Sequence, residues 1–192
     1  MNLTAMKLTF NPAILALLAL MTLTRLYHFG SAWSLPDATL AVFFLAGWYV
    51  SNRVWLAGLL VAAGLLDYLA INQFNVSDWC LSPAYIFLIP TYSVMWLAGR
   101  YGAKVTMSGK RELAVFVGLA AVVATLAFII SNGSFYFFSG RYAELPAADY
   151  ALAVATHFPA YLGTAMAYAL AGLAVAKASG ILGQISSQQK AV

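Results

Sequence analysis

Cys80 is the chain's one cysteine, and it stands two residues ahead of Ser82-Pro83, which reads as an N-cap followed by proline in the first turn of a helix. A helix N-terminus carries partial positive charge and favours a thiolate, and a thiolate is a soft donor suited to a transition metal. His28 and His157 add imidazoles, Asp67 a carboxylate and Tyr85 a phenol. Each also has a plainer reading. A lone cysteine is often inert apolar filler. Asp67 can be structural glue paired with Arg25 or His28, and His28 can be an interfacial histidine at a helix end. His157 precedes Phe158-Pro159, and a proline there leaves the carbonyl of Ala155 without its helical donor, so a kink holding a satisfied histidine is expected. With no second cysteine, neither an internal disulfide nor a dithiol cycle can form.

The elements that hold these residues are set by composition. Of 192 residues, 63% are hydrophobic and only 8% charged, a balance that no soluble domain of this size could hide in one core. The expected solvent is lipid. At roughly 20 apolar residues per crossing, the chain has room for about six helices and little else. We therefore expect an all-α, polytopic membrane protein whose single transmembrane domain occupies residues 1–192. Apolar runs and breakers place spans near 11–28, 36–52, 54–73, 82–100, 111–131 and 148–176, with a long loop from Ser131 to Pro146. The first apolar stretch has no convincing cleavage site and is kept as a helix.

The formal charge of +4 comes from Lys and Arg scattered singly between apolar runs, with no basic stripe for nucleic acid. They read as topology signals. Lys7, Arg53, Arg100, Lys104, Lys110, Arg111, Lys177 and Lys190 fall on one side and only Arg25 and Arg141 on the other, which predicts cytoplasmic termini. On that topology His28, Asp67, Cys80, Tyr85 and His157 gather in the outer half. Aromatic residues crowd the same side, among them Trp79, Tyr85, Phe135 to Phe138, Tyr142 and Tyr150. An interfacial belt explains most of them, and the excess suits a large flat ligand held by apolar faces. There is no Walker A loop, His-Glu-x-x-His pair or Gly-x-Ser-x-Gly elbow, so a pump powered by this chain alone is excluded and a conventional hydrolase is not expected.

Leu26-Tyr27-His28-Phe29-Gly30 closing the first span, Asp67 ending the third and Asp78-Trp79-Cys80-Leu81-Ser82-Pro83-Ala84-Tyr85 opening the fourth give the chain its individuality. In these features, and over nearly its whole length, it resembles BtuM, a family of bacterial cobalamin (vitamin B12) uptake proteins. The resemblance implies a bundle like the S-components of energy-coupling factor transporters, which bind a vitamin on the outer side. It implies that Cys80 is an axial ligand to the cobalt of cobalamin, and that His28, Asp67 and Tyr85 belong to the pocket. The resemblance assigns no role to His157. S-components carry small residues four apart on the first helix, where they dock on a partner, whereas Ala13, Ala16 and Ala19 are three apart here. That departure argues against an energising module and agrees with a solitary protein.

The resulting expectation is a multi-pass protein of the bacterial inner membrane that captures cobalamin or a related corrinoid from the periplasm and toggles to deliver it inward. Thiolate donation to cobalt weakens the opposite axial bond, so loss of an upper cyano ligand at Cys80 is an accompanying chemical activity. The rival reading is a haem-binding electron-transfer protein with His28 and His157 as axial ligands. Against it, the two histidines differ in expected depth by about two to three helical turns.

Overall fold

Apolar stretches interrupted by Pro, Gly and Asn fold as helices, and no strand occurs among the described residues. The structure is a computed structural model that describes residues 12–26, 35–50, 52–105 and 109–179. In chain order the helices are α1 (Pro12–Arg25), α2 (Thr39–Tyr49) and α3 (Val54–Phe74), then a 3-10 turn (Pro83–Phe87) that leads into α4 (Leu88–Lys104). After these come α5 (Lys110–Phe138), α6 (Ala147–Ala155) and α7 (Phe158–Ala178). Three of them, α3, α5 and α7, are long and apolar enough to cross a membrane. Outward-facing Val61, Leu65, Val122, Ile129 and Val175 give the bundle an aliphatic exterior, a surface suited to lipid rather than water.

The stretch expected to span 36–52 forms a helix of only 11 residues, about 16 Å long against about 30 Å of hydrocarbon. Its apolar residues run all round, so it packs at the centre, and Ala41 to Val50 are all buried. Asp37 starts it, accepting hydrogen bonds from the Thr39 backbone N–H at 2.9 Å and hydroxyl at 2.5 Å. Two glycines then bring α2 and α4 into backbone contact. A Cβ on Gly47 would land on the Trp96 carbonyl, and one on Gly99 on the Phe44 carbonyl. The close crossing holds Tyr92 of α4 against α2, where it stacks on Phe43 with centroids 4.7 Å apart.

Three boundaries differ from the sequence reading. Helix α5 continues to Phe138, so the Phe135-to-Phe138 run expected in a loop is helical, and the connection to α6 shrinks to residues 139–146. The last expected span, 148–176, is broken into α6 and α7 at Thr156-His157, where Pro159 denies α6 a continuing donor. The stretch expected to begin at Ser82 opens with 3-10 geometry before becoming α-helical at Leu88. At the end of α3, Asn75 adopts φ 51°, a left-handed conformation that asparagine tolerates, and turns the chain into the loop that carries Cys80.

Candidate functional site

Arg25 ends α1 and is that helix's one charged residue. A guanidinium in an apolar helix persists only where its charge and N–H groups find partners, and here they come from three further helices, α2 with the residue that starts it, α3 and α4. Its side chain is 4% exposed. Nε and Nη2 donate to Oδ1 and Oδ2 of Asp67 on α3 at 2.7 and 2.6 Å, a bidentate pairing. Nη1 lies 3.1 Å from Oδ2 of Asp37 and 3.0 Å from both Thr39 Oγ1 on α2 and the Tyr92 hydroxyl on α4. Tyr85, in the 3-10 turn, donates its phenol to Asp67 Oδ2 at 2.6 Å. Beside it the Ala38 N–H donates to Thr24 Oγ1 at 3.2 Å, tying the start of α2 to α1.

This network forms one wall of a cavity of about 500 Å³. Arg25, Asp37, Asp67, Tyr85 and Tyr92 line it on that side, and Asn132, Tyr142, Tyr150 and His157 on the other. The second wall is built differently. The Tyr136 and Tyr150 hydroxyls donate to the Leu145 and Asn132 carbonyls at 2.8 and 3.0 Å, and the Tyr142 ring lies 4.8 Å from that of Tyr150. Tyr142 and Tyr150 thus line the cavity, while the Tyr136 hydroxyl pins the 139–146 loop to α5 and the Tyr150 hydroxyl pins α6 to it.

Cys80 lies between the two walls, on the loop between α3 and the 3-10 turn. Two local bonds shape that loop: Trp79 N–H to Ser77 Oγ at 3.2 Å, and Leu81 N–H to the Asp78 carbonyl at 2.8 Å. The Arg141 guanidinium lies over the Trp79 ring, 3.9 Å from its centroid, and joins this loop to the 139–146 loop. Cys80 exposes surface at the cavity wall. Surrounding protein still strips hydration from its thiol and, with the Asp67 carboxylate, pushes its pKa above the ordinary value, against the smaller opposing pull of Arg141 and Arg25. The expected thiolate-favouring helix end is thus corrected. Ser82 makes no side-chain cap, its Oγ is buried without a hydrogen-bond partner, and a five-residue 3-10 turn offers little dipole.

Of the residues singled out from sequence, Cys80, Asp67, Tyr85 and His157 line one cavity. His28 lies outside the described residues. Asp67 points into the bundle and pairs with Arg25, so three of its roughly four acceptor positions are already engaged by Arg25 and Tyr85. His157 sits at the break between α6 and α7, where its main chain bonds to Val154 and Tyr161. Its ring has no hydrogen-bond partner among the described residues, unlike the satisfied histidine expected. Asp37, Thr39 and Tyr92 were not foreseen. The available signal was Arg25 itself, because a cation within an apolar run requires acceptors and Asp37 is the nearest carboxylate in sequence. Among the described residues no three His, Cys, Asp or Glu side chains gather to hold a metal ion. No known protein family matches the chain, and no curated protein matches it either.

Proposed function

We propose that the protein binds cobalamin or a related corrinoid through Cys80 and carries it across the bacterial inner membrane, in a six-crossing bundle of the S-component kind with both termini in the cytoplasm and the cavity open to the periplasm. The observation that carries the reading is the placement of the chain's one thiol in the wall of a cavity with a polar side and an aromatic side. Cobalt in a corrin already has its equatorial nitrogens and needs only axial donors, for which one thiol suffices. A whole corrinoid exceeds about 500 Å³. It therefore enters by one edge and its lower face, and the remainder extends through the mouth. Tyr142 and Tyr150 offer apolar faces to the ring, while Tyr85 and Asp67 meet its periphery.

Coordination and ligand loss form a substitution that needs no external reductant. The thiol proton departs as a sulfur lone pair forms the Co–S bond on the lower face, where the nucleotide-base nitrogen leaves cobalt with its own electron pair. On the upper face the bond to cyanide breaks with both electrons on carbon, and the anion leaves with a proton as hydrogen cyanide. Cobalt stays Co(III) throughout.

The test is the visible spectrum of purified protein mixed with cyanocobalamin. The wild type shifts the corrin bands and releases cyanide, whereas Cys80→Ala leaves the spectrum of the free vitamin. Identical spectra for the two proteins would sink the proposal.

A further inference from the structure

The charged residues lining the cavity are one guanidinium, Arg25, and two carboxylates, Asp37 and Asp67. Arg25 is held by both acids, so the wall carries one negative charge in excess. The acids are also the parts of the network that a ligand can reach. Asp67 is 13% exposed and Asp37 29%, against 4% for the cation. Each carboxylate accepts about four hydrogen bonds. Asp67 accepts three, from Arg25 Nε, Arg25 Nη2 and Tyr85, which leaves a position on Oδ1. Asp37 accepts from the Thr39 N–H and hydroxyl on Oδ1 and from Arg25 on Oδ2, which leaves one on Oδ2. The wall therefore offers acceptors and repels anions. The two loops that carry Cys80 and Tyr142 lean the same way, with Asp78 and Glu144 against Arg141, whose guanidinium face is turned to Trp79.

The geometry points to a ligand-selecting role for Asp37 and Asp67: the site takes corrinoids whose peripheral side chains end in primary amides and excludes those whose side chains end in carboxylates. An amide N–H completes a carboxylate lone pair, whereas a carboxylate brought to the same place meets like charge with no proton between them and leaves the wall's acceptors unfilled. This inference rests on the corrinoid reading above and sharpens it from a ligand family to the oxidation-independent chemistry of the ligand's edge. It places the protein downstream of amidation: the reactions that convert the ring's acid side chains to amides must precede uptake of any corrinoid it accepts.

The experiment compares three probes on wild-type protein in detergent at pH 8 and low salt: cyanocobalamin, dicyanocobinamide (amides kept, nucleotide removed) and dicyanocobyrinic acid (amides replaced by free carboxylates). The amide-bearing probes are expected to bind at least about 100-fold more tightly than the acid. Asp37→Asn, which removes the excess charge and keeps the oxygen that faces Thr39 while giving up the one that faces Arg25, is expected to narrow that ratio about tenfold, and raised salt to narrow it further. Equal affinity for cobinamide and the acid, within about threefold, overturns the inference while leaving corrinoid binding intact. If none of the three probes binds, the corrinoid reading itself falls and the inference falls with it. The wild-type comparison stands even if the variant does not fold.

Discussion

The two walls of the cavity solve different problems. On the α1–α4 side a single guanidinium is shared among Asp67, Asp37, Thr39 and Tyr92, so removing one partner leaves charged N–H groups buried without an acceptor. On the α5–α7 side tyrosine rings pack on one another and their hydroxyls reach main-chain carbonyls, so each contact is replaceable. The comparison teaches that charge sets a fixed surface and aromatic packing an adjustable one. Cys80 sits on the loop between them, tied across the mouth by Arg141 on Trp79.

The largest effect should come from breaking the charged wall. Asp67→Ala takes the bidentate acceptor from buried Arg25, leaving its Nε and Nη2 N–H groups without partners while Asp37 still balances its charge, and is expected to destabilise the protein by about 3–5 kcal/mol, measured by unfolding in detergent. A loss under about 1 kcal/mol would show that the network is not buried as described. Next comes a pH effect on the thiol between the walls. The raised thiol pKa means that free Cys80 carries its proton, and bonding to cobalt must release it. Affinity for a corrinoid that keeps its upper ligand, such as methylcobalamin, should therefore rise with pH by up to about tenfold per unit below the thiol pKa and level off above it. Cys80→Ala should abolish that slope, and a wild-type affinity independent of pH from 6 to 8 would contradict the assignment.

How much of this was readable beforehand depends on the range of the interaction. The helical class, Asp67 pointing inward with Arg25 as a candidate partner, and Cys80 beside a helix start follow from local composition and from the cost of charge in lipid. Neither Asp37 nor Tyr92 stands out by residue type or spacing in the sequence. Their roles come from the α2–α4 crossing at Gly47 and Gly99, which is a contact between segments about 50 residues apart that no local pattern encodes. The failed cap at Ser82 has a local cause: the proline that suggested a helix start also begins a 3-10 turn whose geometry leaves the serine hydroxyl buried and unused.

The aromatic wall should show smaller losses. Tyr136→Phe removes one neutral hydrogen bond to the Leu145 carbonyl and keeps the ring, so about 1 kcal/mol is expected in the same unfolding assay. A loss matching that of Asp67→Ala would erase the contrast between the walls. Smallest in stability is Trp79→Leu, which releases Arg141 at the mouth at a cost of about 0.5–1 kcal/mol. Its expected signature is a corrinoid dissociation rate raised several-fold in stopped-flow displacement, with the bound spectrum unchanged.

The central claim is a bond between the Cys80 sulfur and cobalt, and cobalt K-edge X-ray absorption of the loaded protein reads that bond directly. The account predicts one sulfur scatterer in the first coordination sphere of the wild type and none in Cys80→Ala. A wild-type sphere of nitrogen, carbon and oxygen alone, in protein shown to hold stoichiometric corrinoid, would contradict it.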